Sequence, residues 1–137
     1  MQEEAGEMSK EIHIIAVDNS RIIPLNKEGT AISIFVQLDN HPECAWITIF
    51  NNKHYGDMNP WKWPAVVSGK DIILTVSTED SGEIFQRNVD LIKRYVAEAN
   101  VDFASQQKKR EEDFNKAQER ERLMIKRVQD RISGVKL

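Results

Sequence analysis

The longest stretch without glycine or proline constrains the fold of this chain most. Between Gly82 and Gly134 there are 51 residues that include neither of the two residue types most unfavourable inside a helix. Asp80 and Glu83 have the spacing of a capping box, and Gly134 suits the position just after a helix C-terminus. The pattern predicts a helix over residues 83–133, which if unbroken would span on the order of 75 Å.

The predicted helix changes character along its length. Its first part carries apolar residues at helical spacing, which predicts packing on a sheet. These residues are Ile84, Phe85, Val89, Leu91, Ile92, Tyr95, Val96, Ala99 and Phe103. Beyond Ser105 only Phe114 and Ala117 are apolar until Leu123, where apolar residues return. We place a kink or hinge at Asn100 or Ser105, and the pattern leaves open whether the helix is continuous.

Two segments alternate apolar and polar residues with the period of a β-strand. Residues 31–38 place Ile34, and residues 71–77 place Leu74, on a face made of aliphatic side chains, while the opposite faces are mostly polar. Residues 12–17 are rich in β-branched side chains, which predicts a third and more fully buried strand.

Turn-forming residues separate these segments. Residues 18–20 predict a turn after the first strand, and residues 26–29 and 68–70 predict hairpin loops. Pro24 confines residues 21–25 to a sheet edge, because proline cannot donate a backbone hydrogen bond. The predicted fold class is α+β: a four- to five-stranded, mostly antiparallel sheet packed by a helix, with a long C-terminal helical extension.

Residues 41–52 are compatible with either a helix or a strand. Asp39 or Asn40 could cap a helix, Pro42 suits its first turn, and Trp46 and Phe50 have i, i+4 spacing. Residues 46–50 are also strongly β-prone. The agreement of the start signals favours the helix, and the strand remains the alternative.

Composition indicates one domain and a reducing compartment. The 137 residues give room for a single sizeable core, and one cysteine excludes an internal disulfide. Residues 1–10 are acidic and lack the apolar segment of a signal peptide, and no stretch is apolar enough to span a membrane. We expect a flexible acidic lead-in over 1–10, an α+β head domain over 11–104, a charged helical tail over 105–137, and a cytoplasmic location.

Charge is distributed unevenly along the chain. Residues 1–104 contain 9 Lys or Arg and 16 Asp or Glu, whereas residues 105–137 contain 10 and 6. An acidic head would repel nucleic-acid phosphates. The basic run at 108–110 is followed at once by the acidic run at 111–113, which favours protein contact over phosphate binding.

We find no catalytic, cofactor-binding or metal-binding constellation. His13 has no acid–base partner at a meaningful spacing, and His41 with Cys44 supplies two of the four ligands that structural zinc requires. Cys44 is interpreted as a small buried hydrophobe. Phosphate-binding loops and hydrolase motifs are absent from the sequence. We therefore predict that the protein is not an enzyme and has no cofactor.

Residues 54–64 combine aromatic side chains with turn-forming residues. Tyr55, Trp61 and Trp63 occur within ten residues of one another, and such side chains are enriched at interface hot spots. Alternatively, the tryptophans close the open end of a small core. Trp63 is predicted to point inward, because it leads directly into a strand, and Trp61 is the better candidate for exposure.

The tail carries more apolar residues than a solvated helix requires. We predict a non-enzymatic interaction or assembly protein, an adaptor or a homo-oligomer, that uses its C-terminal helix. The predicted partner-binding residues are Tyr55, Trp61, Phe114, Leu123, Met124, Val128 and Ile132. The alternatives are nucleic-acid binding through the basic tail, which the mixed charges disfavour, and small-ligand binding at the Trp61/Trp63 loop. No membrane partner is expected.

Overall fold

The computed structural model describes residues 11–136, so the lead-in predicted for residues 1–10 lies outside the described residues. Four strands and two helices follow one another along the chain. They are β1 (Ile14–Pro24), β2 (Ala31–Leu38), α1 (Cys44–Gly56), β3 (Ala65–Ser68), β4 (Asp71–Ser77) and α2 (Gly82–Ser133). The predicted α+β class with a long C-terminal helix is confirmed.

The strands form one antiparallel sheet in the order β1-β2-β4-β3. Ile34 of β2 lies opposite Leu74 of β4, and both side chains are buried. The predicted hairpin loops connect β1 to β2 and β3 to β4, with Gly29 and Gly69 at positive φ, where a side chain would be strained. The alternation of residues along β2 and β4 therefore sets one face of the sheet against the core.

The turn predicted at residues 18–20 is wrong, because a single strand runs through it. The pairing of β1 with β2 passes from Asp18 opposite Phe35 to Ile23 opposite Ser33, so four residues bulge out opposite one. The Asp18 carboxylate accepts hydrogen bonds from the backbone N–H and the hydroxyl of Ser20, at 2.9 and 2.6 Å. These residues do form a local bend, as their types suggest, but β1 absorbs it as a bulge. β1 lies at the sheet edge, as Pro24 predicted for residues 21–25. The burial predicted for the strand at residues 12–17 is wrong, because Ile15 and Val17 are 64% and 42% exposed on this edge strand.

The second face of the sheet is more covered than its sequence suggested. Ser33 and Phe35 are both 9% exposed. The Arg21 guanidinium lies 4.3 Å from the centre of the Phe35 ring and is held by the carboxylates of Asp18 and Asp71 at 2.8 and 2.9 Å. Hydrogen bonds from Ser20 and Arg21 lower the pKa of Asp18 well below its usual range. Arg21 and its two carboxylate partners cover Phe35, the one large apolar side chain on that face of β2.

Residues 44–56 form helix α1, so the favoured interpretation of the ambiguous segment is confirmed and the strand alternative is wrong. Trp46 and Phe50 stack with ring centres 5.5 Å apart, which follows from their i, i+4 spacing. The predicted caps are wrong: the helix begins after Glu43, whose side chain makes no capping hydrogen bond. Cys44, the first helical residue, is exposed rather than buried, because it lies about 200° around the helix from the buried Trp46.

The first part of α2 covers the inner face of the sheet. Its residues join a core with β2, β4 and α1, and the buried ones are Leu91, Ile92, Tyr95, Val96, Ala99 and Phe103. The predicted capping box is wrong, since Asp80 bonds elsewhere and the Ser81 hydroxyl accepts from the N–H of Ile84 at 3.3 Å. The helix ends at Ser133, just before Gly134, as predicted.

Helix α2 is continuous through Asn100 and Ser105, which answers the question of continuity that the sequence left open. The Asn100 side chain joins distant parts of the chain. Its Oδ1 accepts from the backbone N–H of Ile12 at 3.0 Å and from Nε1 of Trp46 at 2.9 Å, while its Nδ2 donates to the Ile12 carbonyl at 2.8 Å. The amide thus satisfies buried polar groups and leaves the helix backbone intact.

Internal contacts divide the chain into two units. The first ends at Phe103 and contains the sheet, α1 and the covered part of α2; the second begins at Ala104 and is helical. Every large apolar side chain described in the second unit is exposed.

Candidate functional site

The loop between α1 and β3 is held by one amide from α2. Asn88, only 2% exposed, accepts a hydrogen bond from the backbone N–H of Trp63 at 2.9 Å. Its Nδ2 donates to the carbonyls of Trp61 and Ile84, both at 3.1 Å. Two of these groups are backbone atoms of the loop and the third, the Ile84 carbonyl, belongs to α2, so Asn88 fixes the loop backbone to the helix.

Trp63 is an inward side chain, as predicted. It is 5% exposed, its Nε1 donates to Asp80 at 2.7 Å, and its ring meets that of Phe85 edge to face at 4.7 Å. Trp61 is half-buried against the core, with the Arg87 guanidinium 5.6 Å from its ring centre. Tyr55 is 84% exposed. Of the three aromatic residues singled out in the sequence, Tyr55 is the one most available for contact.

Asp57 connects the same loop to helix α2. Its carboxylate accepts hydrogen bonds from the Tyr95 hydroxyl and from Arg94, the latter at 2.9 Å. The hydrogen bond from Tyr95 lowers the pKa of Asp57. Lys62 donates to the carbonyls of His54 and Asp57. These charged groups are therefore engaged in holding the loop.

His54 is a structural histidine. It is 9% exposed, and its Nε2 lies 2.8 Å from the Trp63 carbonyl, which only a protonated nitrogen can bond. Desolvation by burial lowers the pKa of this imidazole below 6.5. The neutral ring with its proton on Nε2 therefore links α1 to the start of β3.

His13 has acidic partners that local spacing did not reveal, so the statement that it lacks one is wrong. Its Nδ1 lies 2.9 Å from Asp39, 26 residues along the chain, and its Nε2 lies 3.2 Å from Glu11. The hydrogen bond with Asp39 raises the pKa of His13 above 6.5. The ring is exposed and joins the segment before β1 to the end of β2.

The two histidines should titrate on opposite sides of pH 6.5. The contribution of His54 to the free energy of unfolding is fully present above pH 6.5 and is lost as the pH falls through the lowered pKa of this residue. The contribution of His13 is fully present below pH 6.5 and is lost as the pH rises through the raised pKa of this residue. Proton NMR of the ring Cε1–H signals, assigned with His13→Gln and His54→Gln, measures both values. Equal pKa values or the reverse order would contradict these contacts.

A cleft lies between the C-terminal half of α1 and the edge strand β3. Its volume is about 480 Å³, and its walls include Tyr55, His54, Trp63, Pro64 and Val66. Nε2 of His54 and the backbone N–H and carbonyl of Trp63 are used in the hydrogen bonds described above. The cleft thus presents mainly apolar surface at the loop that the sequence singled out.

The second unit presents an apolar stripe along one side of its helix. At about 100° per residue, four side chains fall within roughly a third of the helix circumference. We call Met124, Ile125, Val128 and Ile132 the C-terminal stripe. Their exposed fractions run from 47% for Val128 to 65% for Ile132.

The remaining predicted tail residues fall in different places. Phe114, 61% exposed, lies on the same side of the helix as the stripe, but Glu121 stands in line between them. Leu123 lies about 140° around the axis from Val128. The structure therefore groups Met124, Val128 and Ile132 on one surface and places Leu123 on another.

Basic side chains flank the stripe. Arg131 lies along one edge, while Asp130 is on the far side of the helix. Arg122 also flanks the stripe but is paired with Glu119 at 2.6 Å. The edge charge at Arg131 was not singled out in the sequence, although its position next to Ile132 could have revealed it.

In comparisons with known proteins, the chain matches no protein-family model, no curated protein and no solved structure. Within residues 11–136, neither helix has a stretch apolar and long enough to cross a membrane. Over the same described part of the chain, no group of three or more His, Cys, Asp or Glu side chains is placed to hold a metal ion. Functional inference therefore rests on the geometry of the stripe and the cleft.

Proposed function

We propose that the protein is a non-enzymatic assembly protein that binds a protein partner through the C-terminal stripe. The observation that carries the proposal is the row of exposed apolar side chains on one side of the helix from Met124 to Ile132. A helix with one thin apolar face is marginal in water by itself, and burial of that face against a partner stabilises it. The roles of His54 and His13 in joining chain segments support the non-enzymatic part of the proposal.

The spacing within the stripe supports a helix as the contacting element. Ile125, Val128 and Ile132 are separated by three and four residues, which is the spacing of the apolar seam between paired helices. β-Branched residues at these positions suit such a seam, because their side chains lose little freedom on packing.

Two substitutions on opposite sides of the helix test this proposal. Val128 and Leu123 are 47% and 40% exposed, so Val128→Glu and Leu123→Glu make similar changes in apolarity and charge. We expect Val128→Glu to lower the solution mass of an assembly, or to weaken partner binding at least about tenfold, as hot-spot truncations do. Leu123→Glu should change neither. Light scattering and quantitative co-purification measure both quantities, with circular dichroism as the check on folding.

A wild-type protein that is monomeric and brings down no partner in a Val128-dependent manner would overturn the proposal. So would equal losses in the two variants, since they would indicate a non-specific effect of charge rather than a directed surface.

The cleft supports a second candidate function, binding of a small apolar ligand. Its volume of about 480 Å³ lies within the range of ligand sites in proteins. Ligand entry should change the fluorescence of Trp63, and Val66→Arg should abolish that change by filling the cleft. Val101→Arg, a matched substitution at an exposed site on α2, should preserve it. Equal responses in the two variants would argue against a site in the cleft.

A further inference from the structure

The cleft meets strand β3 along its unpaired edge. β3 is the last strand in the sheet order, and no strand of residues 11–136 pairs with its other side. Ala65, Val66 and Val67 all line the cleft, although side chains of consecutive strand residues point to opposite faces of a sheet. Only a cleft at the strand edge can touch all three. A ligand in the cleft would therefore lie against the backbone of β3.

The backbone groups of β3 divide between its two edges. The Pro64 carbonyl accepts a hydrogen bond from the N–H of Thr75 at 3.1 Å. Hydrogen-bonded pairs recur at every second residue of an antiparallel ladder, so Val66 also bonds to β4, whereas Ala65 and Val67 point away from it. Within residues 11–136 no described hydrogen bond engages these outward groups. The N–H and carbonyl groups of both residues are thus available at the cleft.

We propose that the cleft binds an extended apolar peptide of another protein, which adds a fifth strand to the sheet beside β3. An extended backbone presents N–H and carbonyl groups at every second residue of one edge, which is the spacing of Ala65 and Val67. Alternate side chains of the peptide would contact the apolar wall, where Trp63 and Tyr55 are the large residues. The inference names the class of ligand for the cleft, so it rests on the second candidate function and is independent of the stripe.

Two other occupants fit this edge less well. Ala65 and Val67 are about 7 Å apart, so a peptide of about five residues reaches both, whereas a small apolar molecule leaves their N–H and carbonyl groups unbonded. A second copy of the chain would offer only the four residues of β3, preceded by Pro64, which has no N–H to donate. The free backbone groups therefore favour an extended peptide.

The opposite edge of the sheet supplies a control position. Leu38 donates to the Lys70 carbonyl at 2.7 Å, so Val36, two residues earlier, also bonds to β4. Val17 lies opposite Val36, and its N–H consequently faces away from the sheet, as that of Val67 does. Strand β1 itself is less suited to strand addition, because two register shifts interrupt the regular row of groups along it.

N-methylated peptides test the pairing with the full-length protein. The probes are fluorescent peptides of about five residues, with valine, leucine or phenylalanine at every second position. One form is methylated on the amides of its odd residues and another on those of its even residues, so their side chains are identical. By fluorescence anisotropy, we expect one methylated form to bind at least about tenfold more weakly than the unmodified peptide, and the other to bind within about threefold, because only one edge of an added strand bonds to β3.

Two further measurements locate the bound peptide. Amide hydrogen exchange at Ala65 and Val67, followed by NMR, should slow on binding, while that at Val66, already bonded to β4, should change little. Val67→Pro removes an outward N–H without removing a bond to β4, and should weaken binding at least about tenfold. Val17→Pro is the matched control at the opposite edge and should leave the affinity unchanged. Thermal unfolding checks that both variants fold; if Val67→Pro does not, the methylated peptides and the exchange of the wild type decide.

The outcomes separate strand addition from the other uses of the cleft. Equal binding of the two methylated forms, or unchanged exchange at Ala65 and Val67, would overturn strand addition. A response of Trp63 fluorescence to the apolar dye anilinonaphthalene sulfonate would in that case keep the cleft as a small-ligand site. If no peptide of the set binds, the inference fails, and if the dye gives no response either, the second candidate function fails with it.

The remaining outcomes concern the solution mass and the stripe. A wild-type dimer that Val67→Pro dissociates would assign the edge of β3 to a second copy and overturn the peptide inference. Val128→Glu should leave peptide binding at the cleft unchanged, because the stripe belongs to the other unit of the chain. A loss of peptide binding in Val128→Glu would instead contradict binding at β3.

Discussion

Replacing Leu74 by Asp is expected to leave the chain unfolded at neutral pH. Leu74 is fully buried between Ile34 and Ala65 on the neighbouring strands. A carboxylate there has no basic partner in the apolar core, and its burial costs several kcal/mol, a large part of the roughly 5–15 kcal/mol that stabilises a domain. The near-ultraviolet circular dichroism signal and the cooperative thermal transition should both be lost.

Thr75→Asp is the matched control for this variant. Thr75 is adjacent in sequence, points to the opposite face of the sheet and is half-buried, so its carboxylate can reach water. The variant should keep a cooperative transition. Ser33 is unsuitable as a control because it is buried. Equal damage at positions 74 and 75, or a folded Leu74→Asp protein, would contradict the one-sided core.

Asn88→Asp should be strongly destabilising although it hardly changes the size of the side chain. The amide donates to two carbonyls and accepts from one N–H, whereas a carboxylate can only accept. Buried at 2% exposure, it would face the carbonyls of Trp61 and Ile84 without a proton to share. We expect a loss of about 3 kcal/mol or more in the free energy of unfolding.

Denaturant unfolding at neutral pH measures this loss, and Asn115→Asp on the exposed part of α2 is the control. That variant should lie within about 0.5 kcal/mol of wild type, as surface substitutions usually do. If the two variants are equally stable, Asn88 does not hold the loop as its hydrogen bonds indicate.

Periodic patterns identified most of the secondary structure. The alternation at Ile34 and Leu74 identified β2 and β4 because one face of each strand must be buried. The stretch without glycine or proline identified α2, and the agreement of several start signals favoured α1 although Glu43, not Asp39 or Asn40, precedes it. Exact helix ends were harder to predict, because several neighbouring residues can each cap a helix and the backbone geometry decides which one does.

Contacts between distant residues could not be predicted from local patterns. Asn100 meets Ile12 across 88 positions, and His13 meets Asp39 across 26. Asparagine is a weak helix former, yet Asn100 lies within the continuous helix α2 and its side chain makes these tertiary contacts. Asn88 did leave a signal: an amide four residues before Ile92, within an apolar stripe, requires buried partners.

The candidate surfaces were predicted in part. The number of apolar residues in the tail predicted a binding surface there. The helical period separates Leu123 from Val128 and places Glu121 in line with the stripe. The cleft beside Tyr55 depends on the approach of α1 to β3, which no pattern within residues 41–68 specifies.

Site-specific photo-crosslinking in the native host tests partner binding by the stripe most directly. A benzophenone amino acid at Ile132, which is 65% exposed, should form one discrete adduct with a partner protein. The same group at Leu123, on the other side of the helix, should form none, and Val128→Glu should abolish the Ile132 adduct. An absence of adducts from Ile132, or equal adducts from Ile132 and Leu123, would contradict a binding surface at the C-terminal stripe.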